Sequence, residues 1–182
     1  MRIACRTAAH FLRDFGVCGL GMAFAIEPRR CRVLPSFAMN KPASKPIIAA
    51  IDGSSHSRKV AVYANRLARA FDTGLTLLHV VGPLPEHMAV SLGLLEGQWL
   101  QSQLREGQSA LDELCSELGL LEVETMLLAG PVPETICGEA EEADAEMIVI
   151  GAHGHGPSPR IMLGSVGDRV ASLSSRSVTI VR

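Results

Sequence analysis

The chain has 182 residues, 47% hydrophobic and only 4% aromatic, enough for one domain whose core is built from small aliphatics. Its net charge of −2 hides an asymmetry: residues 1–44 hold seven Lys/Arg and two Asp/Glu, hence +5, and residues 45–182 hold ten and 17, hence −7. An acidic domain argues against nucleic-acid binding, which rests on phosphate neutralisation, and the apolar run Phe15 to Ala25 is too short to span a bilayer.

Residues 1–44 are Arg-rich, acid-poor and without clear periodicity, so no element is assigned there and the segment is expected to be disordered. Three readings compete. A transit-type presequence would be richer in Ser than this segment, which has only Ser36 and Ser44. A secretory signal would use Phe15 to Ala25 and cleave at Ala23-Phe24-Ala25. A start at Met39 is favoured, because it leads straight into the first strand.

The domain, residues 45–182, opens with Pro46 to Ile51, a short apolar run of the kind buried on both faces of a sheet. Asp52-Gly53-Ser54-Ser55 follows, offering a turn and helix N-cap candidates. Val60, Ala64, Leu67, Ala68 and Phe71 recur at helical spacing, with Gly74 as the stop. Leu75 to Val81 reads as a second strand and Gly82 to Gly93 as a loop. A long helix runs from Leu94 to Leu118, with Leu100, Leu104, Leu111, Leu114 and Leu118 inward, Gly97 and Gly107 weakening it, and Gly119 ending it. Leu121 to Leu128 is a third strand, and after Gly130-Pro131-Val132-Pro133 an acidic helix reaches Ala143. Met147 to Ile150 is a fourth strand, a glycine-rich loop leads into a helix carrying Val166, Val170 and Leu173, and Val178 to Val181 is the last strand.

Strands alternating with helices predict a five-stranded parallel α/β sheet, order 3-2-1-4-5, covered by helices on both faces. Ligands in such sheets sit at the carboxyl ends of the strands, where strand order reverses. That is the crevice between Asp52, ending the first strand, and Gly151, ending the fourth.

The segment Gly151 to Ser165, GAHGHGPSPRIMLGS, holds the strongest chemical signal. Glycine permits sharp turns and bare N–H groups, and a Gly-Ser pair opening a helix suits an anion. A P-loop is excluded because no Gly-Lys pair occurs, and the dinucleotide fingerprint fails because position 159 is Pro. His153-x-His155 lacks a third metal ligand nearby, so these imidazoles are read as solvent-facing or phosphate-adjacent; His79 is read as a core histidine. The five cysteines have no metal or disulfide spacing, in keeping with a reducing compartment. Nothing in the sequence assembles a catalytic set, and Asp168 and Arg169 read as a solvated face.

Gly151, two residues, Gly154, nine residues, then Gly164-Ser165 resembles the G-x2-G-x9-G-[ST] ATP motif of the universal stress protein family. Ile47 to Ser54, Leu77 to Val80, Asp144 to Gly151 and Ser177 to Arg182 resemble that family's first, second, fourth and last strand segments. The resemblance implies an adenine-nucleotide-hydrolase-like fold binding ATP, with Mg2+ as an optional companion. It implies phosphate contacts at Gly151, Gly154, Arg160, Gly164 and Ser165, a ribose or base contact at Asp52, and placements beside the nucleoside at Ala50 and Val80. It further implies a cytoplasmic stress-response module, a homodimer through Val178 to Val181, no membrane and no nucleic-acid partner. The alternatives are a slow ATPase on the same fold and a dimeric interaction module without nucleotide. The stiff Pro157-Ser158-Pro159 motivates the last.

Overall fold

The computed structural model describes residues 23–27, 30–34, 45–84, 96–120, 123–154 and 163–182. In chain order the elements are β1 (Ala23–Glu27), β2 (Arg30–Leu34), β3 (Ile47–Ile51), α1 (Ser57–Ala70), β4 (Leu75–Val81) and α2 (Glu96–Leu118), followed by β5 (Glu124–Ala129), α3 (Val132–Glu142), β6 (Met147–Gly151), α4 (Ser165–Leu173) and β7 (Ser177–Val181).

Strands β5-β4-β3-β6-β7 run parallel, which is the predicted order 3-2-1-4-5. The central strand β3 is buried throughout and pairs with β4 on one side and β6 on the other. Alternate β3 residues feed two cores. Ile47, Ala49 and Ile51 pack with α1 and α2 through Val60, Ala64 and Leu111. Ile48 and Ala50 pack with α3 and α4 through Ile136, Ala140 and Val170.

The sequence assigned nothing before residue 45, and here the structure differs. β1 and β2 form an antiparallel hairpin, and β2 pairs antiparallel with β5, Cys31 opposite Ala129, extending the sheet to seven strands. An isolated two-stranded hairpin is marginal in water, so its stability comes from the otherwise unpaired edge of β5. Edge pairing of this kind leaves little periodic trace in strands of five residues each.

Three helices end in the same hydrogen-bonded motif, in which the second residue past the cap bonds back five positions. The bonds run from Thr73 N–H to the Ala68 carbonyl, from Leu120 to Cys115, and from Ala145 to Ala140, each at 2.9 Å. The residues in the left-handed position are Asp72 (φ 51°), Gly119 (φ 62°) and Asp144 (φ 50°). Gly119 was the expected stop of its helix. The stop of α1 is Asp72 rather than Gly74, whose carbonyl instead accepts the Ile47 N–H at 2.9 Å. Aspartate tolerates the left-handed region better than most residues, which is why a glycine search missed it.

Gly107 has a packing role in α2. A Cβ there would lie 2.8 Å from His79 Cδ2 and 3.0 Å from Leu127 Cδ1, so glycine lets the helix settle onto β4 and β5. No helix among the described residues is long and apolar enough to cross a membrane.

Candidate functional site

At the carboxyl ends of β3 and β6, where strand order reverses, lies a cleft of about 330 Å³. That is within the range of small-molecule sites. Seven of the eight residues singled out in the sequence line it: Ala50, Asp52, Val80, Gly151, Gly154, Gly164 and Ser165. Arg160, and with it His155 and the Pro157-Ser158-Pro159 stretch, lies outside the described residues.

The cleft has two halves. Ala50, Leu78, Val80, Val132, Ile136, Ile150 and Val166 make an apolar floor between the sheet, α3 and the start of α4. Asp52, Ser54, His56, Ser57, His153 and the glycines make a polar rim. An apolar slot beside a rim of N–H groups and hydroxyls suits a ligand with one flat apolar end and one anionic end.

Asp52 is fixed by a compact knot. Its Oδ1 accepts the Ser54 N–H at 2.9 Å and the Ser57 hydroxyl at 3.0 Å. Ser57 Oγ in turn accepts the N–H groups of Asp52 at 3.2 Å and Gly53 at 3.0 Å. Gly53 takes φ 80°, a turn that a side chain would resist. The dull sequence reading of Asp52 as an N-cap does not hold: the N-cap of α1 is His56, which makes no side-chain capping bond. The knot holds the carboxylate against the glycine loop across the crevice. Asp52 Oδ2 lies 2.5 Å from where a Cβ on Gly154 would stand.

Of the two uses of glycine expected from the sequence, these positions show close approach rather than a left-handed turn. Among the described residues the glycines with positive φ are Gly53, Gly119 and Gly130, none of them in this loop. A Cβ on Gly151 would meet the His153 carbonyl at 3.2 Å, and one on Gly164 the Ala152 carbonyl at 3.3 Å. The Gly164 N–H donates to that same Ala152 carbonyl at 2.8 Å, joining the two ends of the loop. It is therefore not among the donors offered at the helix start.

Gly164 is the N-cap of α4, in extended conformation, and Ser165 is the first helical residue. Ser165 therefore does not cap α4. The first intrahelical bond is Asp168 N–H to the Gly164 carbonyl at 3.0 Å, so no intrahelical carbonyl reaches the N–H groups of Ser165, Val166 and Gly167. They concentrate the positive end of the helix dipole on the cleft.

Sequence reasoning passed over His56, Ser57, Val132 and Ile136 as site residues. Ser57 had a signal, since a hydroxyl five positions after a strand-terminal Asp can reach back across the turn. Val132 and Ile136 had none, because only the sheet order brings α3 over the floor. His153 is half-buried on the cleft wall rather than solvent-facing, and its ring centroid lies 6.0 Å from that of His56. Arg169, expected on a solvated face, pairs with Glu134 at 2.8 Å and joins α4 to α3. The Glu134 carboxyl is held below its ordinary value, first by its own backbone N–H and then by Arg169. Burial pushes the thiols of Cys115 and Cys137 up, so both are poor nucleophiles.

The universal stress protein family model matches residues 43–182. A universal stress protein of Methanocaldococcus jannaschii is 34% identical over 145 residues, covering 76% of this chain and 82% of that one. Among solved structures, the universal stress protein UspA from Lactobacillus plantarum superposes with a TM-score of 0.64 at 20% identity, over 76% of this chain and 97% of that one. A universal stress protein in complex with cAMP superposes with a TM-score of 0.51 at 25% identity, over 76% and 97%. With the sheet order of that fold and a match over three quarters of its length, this chain belongs to the universal stress protein family.

Proposed function

We propose that the cleft binds an adenine nucleotide, ATP in the first place, and that occupancy rather than turnover is what the protein uses. The observation that carries this is the convergence of Asp52, the Gly151–Gly154 loop and the N-terminus of α4 on one cleft at the strand-order reversal. In this reading the phosphates lie close against Gly151, Gly154 and the bare Cα of Gly164 and accept from Ser165, with Arg160 adding charge from its loop and Mg2+ accompanying the phosphates. The adenosine lies over Ala50 and Val80 with Asp52 at the ribose. A family relative in complex with cAMP supports an adenine nucleotide as the ligand class.

The regulatory output we propose is nucleotide-dependent association of two copies in the cytoplasm, as part of a stress response. Support comes from β7, an edge strand whose Ile180 is 37% exposed. A paired edge would cover it.

The deciding experiment is on the purified full chain. Co-purified nucleotide is extracted and identified by mass spectrometry, and ATP is titrated by calorimetry into the native protein and Gly164→Val. The expected result is ATP binding that weakens at least about tenfold in the variant, a loss of about 1.4 kcal/mol. A folded native protein that neither carries nor binds ATP refutes the nucleotide reading. ATP release of phosphate at a rate abolished by Gly164→Val would replace occupancy with turnover.

A further inference from the structure

A polyphosphate brings several negative charges into the cleft, while the described lining contains Asp52 and no Lys or Arg. Among the described lining residues the side chains able to become cationic are His56 and His153. His56 precedes α1, His153 follows β6, and the rings stand 6.0 Å apart at 49°. His153 Nε2 is buried without a hydrogen-bond partner, and so is the hydroxyl of Ser54, which also lines the cleft. A buried polar atom left unpaired costs about 1–3 kcal/mol, which an anionic oxygen accepting its hydrogen would recover.

From this geometry we infer that His56 and His153 form a proton-taking phosphate clamp, so that the site ranks ligands by phosphate charge and tightens on polyphosphates as pH falls. The inference rests on the nucleotide reading above and extends it to specificity. Two imidazolium groups this close repel each other, so both are favoured together only with an anion beside them. Docking a phosphate chain therefore draws protons from solvent in the pH range where histidine titrates. The charged groups on the neighbouring elements are Asp52 at the end of β3, Asp168 in the first turn of α4 and Arg182 after β7, and the positive end of the α4 dipole lies at the cleft.

The test uses calorimetry on the full chain between pH 6 and pH 8, with ATP, inorganic tripolyphosphate and adenosine, each in two buffers of different ionisation enthalpy. The expected result is uptake of roughly one proton on ATP or tripolyphosphate binding near pH 7, none with adenosine, and ATP affinity about tenfold higher at pH 6 than at pH 8. In His56→Gln/His153→Gln the ratio between the two pH values falls to one or below, because ATP itself loses charge near pH 6. Proton uptake on the native protein needs no variant, so a poorly folding double variant leaves the test intact. ATP binding without proton uptake, or with an unchanged pH profile in a folded variant, overturns the clamp and leaves the nucleotide reading standing. Absence of ATP binding at every pH removes both.

Discussion

Placing a methyl group on Gly154 tests the contact on which the site is built. Its Cβ would stand 2.5 Å from Asp52 Oδ2, where real Cβ atoms essentially never come within 3.0 Å, so at least half an ångström of movement is required. The backbone of Gly154 is not in the left-handed region, so the penalty is one of space alone. Asp52 yields poorly, because Oδ1 is held by the Ser54 N–H and the Ser57 hydroxyl. Overpacking of this kind costs about 1–3 kcal/mol. Asp52→Ala alone leaves the Ser54 and Ser57 donors without their charged acceptor, again a loss of about 1–3 kcal/mol. The two losses overlap: once the carboxylate is gone, the methyl group meets nothing. Urea unfolding of native, Gly154→Ala, Asp52→Ala and the double variant should therefore give a coupling of at least about 1 kcal/mol, the double variant being more stable than the sum of the singles. Additivity within about 0.5 kcal/mol would mean that Asp52 and Gly154 do not touch, and the reasoning about this loop would fail.

Other perturbations give outcomes of different sign. Gly107→Ala improves helix propensity by about 1 kcal/mol, yet it should lower the thermal midpoint, because its Cβ would press on His79 and Leu127; a raised midpoint would refute the packing role. Asp72→Gly should stabilise by about 0.5–1 kcal/mol in urea unfolding, by relieving a left-handed aspartate at the end of α1. Ile180→Asp should yield a monomer in light scattering if copies pair through β7, and an unchanged mass would discard that interface. Asp144, bound by Arg176 at 2.7 Å and Lys45 at 3.4 Å, has its carboxyl held below the ordinary value, first by the Arg176 hydrogen bond. A folded-state pKa below the unfolded one stabilises above the unfolded value, about 3.9, and the gain disappears as pH falls through the folded value. Asp144→Asn, which keeps a residue tolerant of φ 50°, should therefore be less stable than the native chain at pH 6, with the gap closing below about pH 4.

What the sequence disclosed follows from which forces act locally. Leu75 to Val81 was legible to the residue, because a strand buried in a parallel sheet must be apolar almost without interruption. The order 3-2-1-4-5 was legible because right-handed crossovers leave so few ways to connect alternating strands and helices. The hairpin β1–β2 was not, since its partner, β5, lies almost a hundred residues away in sequence and contributes an edge rather than a pattern. The same division runs through the site. Gly151, Gly154, Gly164 and Ser165 carried a readable spacing, but the spacing could not choose between a turn and a close approach: these positions lack a positive φ and need room for Asp52, His153 and Ala152. Spacing along one segment cannot reveal what stands opposite it. The Asp52 knot, His56 opposite His153 and the floor from α3 are all supplied from across the crevice. The motif thus marks one wall of the cleft, and tertiary structure alone brings the residues of the other wall to face it.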